Sequence, residues 1–139
     1  MFHLEEAPMK YLHQDLTEQI IKCFYDVYNE LGYGFLEKVY ERSMMIELAQ
    51  HGLSCRSQCP IEVLYKTEFV GEYFSDIIVE NCIIIEVKAA ETLVEAHELQ
   101  LINHLKATSI EIGLLLNFGK KPGIRRKIFT NDRKEREHR

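Results

Sequence analysis

The sequence predicts a mixed α/β (α+β) fold, a mixed central sheet flanked by helices, and three observations predict it. Apolar residues recur at helical spacing in the opening part of the chain. Short apolar or alternating runs, separated by brief turns, fill the middle. A further helical stretch then precedes a nearly all-apolar strand. The predicted order is α-α-β-β-β-β-α-β-β. With no internal repeat, low-complexity segment or linker, residues 1–139 read as one domain, long enough to bury roughly 68–70% of the unfolded chain's surface.

Residues 1–14 show no clear period and read as an N-terminal arm. From Thr17, the residues Ile20, Ile21, Phe24, Val27, Tyr28 and Leu31 mark an amphipathic helix, with Asp15 or Thr17 as N-cap. Gly32-Tyr33-Gly34 stops it, because glycine accepts the left-handed conformation that closes a helix. A second helix runs from about Leu36 to Gln50, with Leu36, Val39, Tyr40 and Met44 on its inner side. Strands follow at Ser54–Cys59 (bounded by Pro60), Ile61–Tyr65, Phe69–Val79 and Cys82–Lys88. Their short connections make antiparallel neighbours. Ala89–Ala107 reads as a helix, Ile110–Phe118 as a central strand and Ile124–Phe129 as a last strand.

The composition is that of a soluble protein, 46% hydrophobic and 28% charged. No apolar run approaches the roughly 18 residues of a membrane span, and Met1–Lys10 lacks the layout of a signal peptide. A cytoplasmic location without membrane contact is the expectation. Four cysteines fit it as reduced thiols, since Cys55-x3-Cys59 has no second Cys/His pair at zinc-ligand spacing. The net charge of −5 argues weakly against a nucleic-acid partner, but the distribution is uneven. Residues 120–139 hold nine Lys/Arg against three Asp/Glu, leaving eight against nineteen in the preceding 119. A basic segment on an acidic body can steer phosphates locally. By itself, residues 130–139 read as a basic, frayed tail.

The stretch that points to chemistry is Ile83-Ile84-Ile85-Glu86-Val87-Lys88. Three isoleucines in a row describe a strand buried on both faces. Glu86 and Lys88 then place opposite charges on one strand face. Ten residues upstream of Glu86, Asp76 interrupts a second apolar run. A three-residue connection, Glu80-Asn81-Cys82, sets Asp76 opposite Glu86, whereas a two-residue connection turns them to opposite faces. Two facing carboxylates repel unless a cation sits between them, and all-oxygen ligation suits Mg²⁺ or Mn²⁺. A cross-strand salt bridge at a sheet edge fits the same spacing.

Two helices carry further candidates. Glu37 and Tyr40, in Gly34-Phe35-Leu36-Glu37-Lys38-Val39-Tyr40, share a helix face. On spacing alone Glu37 is a first-turn glutamate favoured by the helix dipole, and Tyr40 a core residue. His97, Gln100 and His104 form a polar stripe on the helix after Lys88. Gln100 can hydrogen-bond a water or a phosphate, while the histidines read as half-buried helix residues.

Asp76 followed by Glu86-Val87-Lys88, downstream of a helix bearing a glutamate, resembles the PD-(D/E)xK nuclease superfamily, the restriction-endonuclease-like fold. More narrowly, Gly34-x-x-Glu37-x-x-Tyr40 and the stretch Ala96–Thr108 look like the GxxExxY branch of that superfamily, over about Leu16 to Phe129. The resemblance implies an αβββαβ core with a metal site at the strand ends. Asp76 and Glu86 would bind a divalent cation, Mg²⁺ or Mn²⁺, with Glu37 as a further acidic ligand. Lys88 would be the catalytic lysine and Gln100 the helix glutamine. Ser75 stands where the superfamily's name has proline.

The function this implies is metal-dependent hydrolysis of phosphodiester bonds in nucleic acid, DNA first, by a small homodimer or as part of a larger system. A scaffold that keeps the fold without turnover is the contrasting expectation, favoured by the acidic body. A hydrolase of small phosphoesters is a third.

Overall fold

In the computed structural model, residues 12–137 are described, with residues 136 and 137 described in their backbone only. Helix α1 (Gln14–Leu31) buries Ile20, Cys23, Phe24 and Val27, as its apolar spacing requires. His13 in a left-handed conformation occupies its N-cap without a side-chain hydrogen bond, in place of Asp15 or Thr17. The arm expected at residues 1–14 lies largely outside the described residues. Helix α2 (Glu37–Gln50) buries Tyr40, Glu41, Met44 and Leu48. Its rotation differs from the one expected: Leu36 is 80% exposed and Val39 38%.

Strands β1 (Cys55–Tyr65), β2 (Glu68–Val79), β3 (Ile83–Lys88), β4 (Ile112–Phe118) and β5 (Pro122–Ile128) form one sheet in sequential order. Only β3 and β4 are parallel, joined by the crossover helix α3 (Glu95–Lys106). The run α2-β1-β2-β3-α3-β4 is the αβββαβ order that the resemblance implies. The two strands expected on either side of Pro60 are one. β1 is an edge strand, where a residue without an N–H need not break a ladder. Helix α3 begins six residues later than Ala89.

The sheet separates two cores. Ile83, Ile85 and Val87 pack with Phe24, Tyr40, Met44 and Phe118 on the α1/α2 side. Ile84 packs with Leu101, Leu105 and Leu115 on the α3 side. Strand alternation therefore turns Glu86 and Lys88 toward α3. A short helix α4 (Asn131–Glu137) occupies most of the segment expected to be frayed. Its Lys134 is buried and donates to the Thr108 and Ile110 carbonyls at 2.8 and 2.7 Å. No helix among the described residues is long and apolar enough to cross a membrane.

Candidate active site

Strand β2 follows β3 for only three pairs, Val79↔Ile83, Ile78↔Ile84 and Ile77↔Ile85, and then diverges. The connection is the three-residue one, residues 80–82. Asp76 and Glu86 are the next residues on the two arms, at the fork. There the Asp76 carboxylate, in place of a main-chain carbonyl of β2, accepts the Val87 N–H at 2.7 Å. Beyond the fork the β1–β2 ribbon changes face. Tyr73 lies against His104 of α3, with ring centroids 5.5 Å apart, although four residues on Ile77 packs on the α1/α2 side. Uninterrupted alternation would have put both on one face. The reversal coincides with Gln58, whose φ of 50° is left-handed, across from Asp76 on β1.

Three carboxylates meet at this fork. Burial and then the Glu86 carboxylate push the pKa of Asp76 up to about 7, against the donated Val87 N–H, and Glu41 of α2 adds to the rise. Gln58 links the same groups, donating to Glu41 Oε1 at 2.7 Å and to Asp76 Oδ1 at 3.4 Å. Glu41 also pairs with Lys38 at 3.0 Å. Glu86, 5% exposed, lies 2.6 Å from Nδ1 of His104, itself 2% exposed. His104 Nε2 is buried without a partner. A Glu86–His104 hydrogen bond fixes the orientation of that carboxylate. Lys88 Nζ donates to Gln100 Oε1 at 3.3 Å, so the lysine and the helix glutamine converge as a pair.

Glu37 is exposed at the start of α2, and the α2 carboxylate that bears on Asp76 is Glu41, one turn later on the same face. Gly34 and Tyr40 hold the α1–α2 connection together. The Tyr40 hydroxyl donates to the Gly32 carbonyl at 2.7 Å and accepts the Phe35 N–H at 3.2 Å. Its ring stacks on Phe118 at 4.2 Å. Gly32, at φ 68°, and Gly34, at φ 107°, take conformations in this loop that a side chain would strain. Sequence reasoning missed Glu41 and understated His104. Glu41's signal was its place one turn after Glu37, and His104's was its i+4 spacing from Gln100.

The donor set at the fork is all oxygen, gathers negative charge in a partly dry site, and includes a carboxyl whose pKa is raised by burial first and then by the Glu86 carboxylate. Those are features that a hard divalent cation relieves, so the chemistry of the donor set is compatible with one. A second group able to hold a metal is Asp26, Glu47 and His51, between α1 and the end of α2. Their ligand atoms lie within 4.8 Å of one another.

The family model for the PD-(D/E)XK nuclease superfamily matches residues 14–127. Among solved structures, the crystal structure of SSO0001 superposes with a TM-score of 0.56 at 17% identity. The match covers 94% of this chain and 72% of that one, a likeness of fold. No curated protein matches the sequence.

Proposed function

The chain belongs to the PD-(D/E)XK nuclease superfamily, and from that membership we propose that it hydrolyses phosphodiester bonds in DNA with Mg²⁺ or Mn²⁺, as a cytoplasmic enzyme of the GxxExxY branch. Asp76, Glu86 and Glu41 would hold the ion, which when bound supplies Lewis acidity toward a phosphoryl oxygen and lowers the pKa of water. Glu41 takes the part first given to Glu37.

The chain's own residues account for the remaining roles. Lys88, as an ammonium, orients the attacking water and offsets charge on the phosphoryl oxygens as the bond to the leaving oxygen breaks, the water's proton passing to solvent. Gln100 holds the Lys88 ammonium from α3. His104 keeps Glu86 from rotating away from the fork. Free cysteines support a reducing compartment. Exposed Tyr65, Phe69, Tyr73 and Phe74 on the β1–β2 ribbon support a homodimer, which sedimentation at several concentrations checks.

The observation that carries this reading is the fork itself, where the part-buried Asp76 carboxylate accepts the Val87 N–H beside the buried Glu86, with Lys88 two residues further along β3 on the Glu86 face. The test is cleavage of plasmid and single-stranded DNA with Mg²⁺ or Mn²⁺ by the wild type, Asp76→Ala and Lys88→Ala. Cleavage by the wild type alone supports it, and equal cleavage by all three sinks it. The acidic composition favours a second reading, a scaffold without turnover. Mn²⁺ titration by calorimetry separates the two, since a folded scaffold has no need of the ion.

A further inference from the structure

Just past the carboxyl ends of the parallel strands β3 and β4 lies a cleft of about 360 Å³, lined by Glu91, Thr92, Asn117, Lys120, Lys121 and Arg125. Its two walls are the segment after β3 and the turn between β4 and β5. Both are pinned from within. Asn117, 2% exposed, accepts the Ala90 N–H and donates to the Ala90 carbonyl, each at 2.9 Å. That clamp occupies the Ala90 carbonyl, which a helix starting at Ala89 would use as an acceptor, and α3 begins only at Glu95. Gly119 allows the walls to approach, because a Cβ there would come within 2.3 Å of the Ala90 carbonyl oxygen. The Tyr28 hydroxyl holds the turn by sharing its one proton between the Gly119 and Lys120 carbonyls, each 2.8 Å away.

The charge of this cleft runs against that of the chain. Three cations face one carboxylate, Glu91, in a protein of net charge −5. Among the described residues, neither Lys120 nor Lys121 has a carboxylate partner that would explain its position. The cleft also adjoins the fork's lysine, because Lys88 pairs with Asn117 across the β3–β4 ladder. The carboxyl ends of parallel strands are where open sheets receive ligands.

We propose that this cleft is an anion subsite that holds the backbone phosphates of one nucleic-acid strand next to the bond at Lys88. The inference rests on the nucleic-acid reading of the fork. Lys120, Lys121 and Arg125 then set affinity and strand position, and take no part in bond breaking. A rigid basic groove releases counterions when it takes up phosphates, so binding weakens as salt rises.

The test is fluorescence anisotropy of a labelled single-stranded DNA oligonucleotide and its duplex across a salt series in EDTA. Wild type, Lys120→Gln/Lys121→Gln, Arg125→Gln and Asp76→Asn are compared, with circular dichroism as a check of fold. The expected result is that the double variant binds more weakly, its slope of log K against log salt reduced by about 1.5. Arg125→Gln shows a smaller loss, and Asp76→Asn retains binding. Binding and slope in the double variant equal to wild type overturn the inference, as does a wild type that binds neither probe. A wild type that binds through these lysines in EDTA but cuts nothing when Mg²⁺ or Mn²⁺ is supplied in the plasmid assay leaves the subsite standing and removes the nuclease reading.

Discussion

Two groups of carboxylate-bearing residues in this chain could hold a metal, and they differ in what their proximity costs. Asp26, Glu47 and His51 bring three ligand atoms within 4.8 Å of one another, at the solvent-facing edge of two helices. His51 Nδ1 is already engaged, 2.9 Å from the Glu47 carbonyl and 3.5 Å from the Glu47 carboxylate. Their charge is felt by the buried Cys23 thiol, pushed up to about 11 by burial first and then by Glu47 and Asp26. Asp76, Glu86 and Glu41 are less tightly drawn together but drier. Water screens surface charges, so surface proximity is cheap and carries little information. Like charges gathered where water is scarce persist only with compensation. Burial, more than spacing, is the reason for proposing the fork as the working site.

The largest expected effect breaks that comparison at its dry end. Asp76→Asn removes the charge with little change of shape and should lower cleavage by about 10³-fold or more, a loss of the size seen when transition-state charge stabilisation is removed. Lys88→Met should cost about 10²–10⁴-fold. Single-turnover rates on plasmid DNA measure both. A variant at Glu47 as damaging as either would move the site to the helices.

Next in size is a stability effect whose sign follows from Asp76. Its pKa is raised from 3.8 to about 7 in the fold. The folded state thus holds a proton that the unfolded chain has already released. Stability contributed by this group is fully present below about pH 4 and is lost as pH rises through about 7. Metal-free protein should therefore melt at a lower temperature near pH 8 than this group alone allows near pH 5, and Asp76→Asn should flatten that dependence. Mn²⁺ should raise the melting temperature more at about pH 8 than at about pH 5. An equal metal-induced rise at both, undiminished in Asp76→Asn, would place the ion elsewhere.

A smaller effect separates the two acids of α2. Glu41→Gln should weaken metal binding by about 10–100-fold, whereas Glu37→Gln should leave it close to wild type. Calorimetric titration of each with Mn²⁺ is the measurement. The reverse order would restore Glu37 to the site.

That pair also illustrates what a sequence can convey about such a site. Asp76, Glu86 and Lys88 could be placed together because strand alternation has a period of two and a three-residue connection fixes the register. Both facts are local. Which α2 glutamate reaches the fork is decided by where along the helix the fork lies, set by the seats of Tyr40, Met44 and Leu48 in the core. Glu37 and Glu41 lie one turn apart, so periodicity alone treats them alike. The start of α3 was hidden for a related reason. Asn117, 27 residues away, takes the Ala90 main-chain groups. The order of the elements was readable, since each carries its own apolar period. The single strand through Pro60 was not, because its edge position is a property of the whole sheet.

The smallest expected effect sharpens the comparison from its wet end. Glu47→Gln and His51→Ala each remove a member of the better-spaced cluster, and both should leave the cleavage rate and Mn²⁺ affinity near wild type. Their effect on stability should stay within about 0.5 kcal/mol, the range for exposed ion pairs and ordinary surface substitutions. Glu47→Gln could even stabilise slightly, since it relieves repulsion with Asp26 and lightens the charge on Cys23. Thermal melts with and without Mn²⁺ read both consequences at once. A loss of the metal-induced rise in Glu47→Gln, with the rise intact in Asp76→Asn, would mean that close spacing at the surface outweighs burial at the fork. The two clusters would then exchange roles.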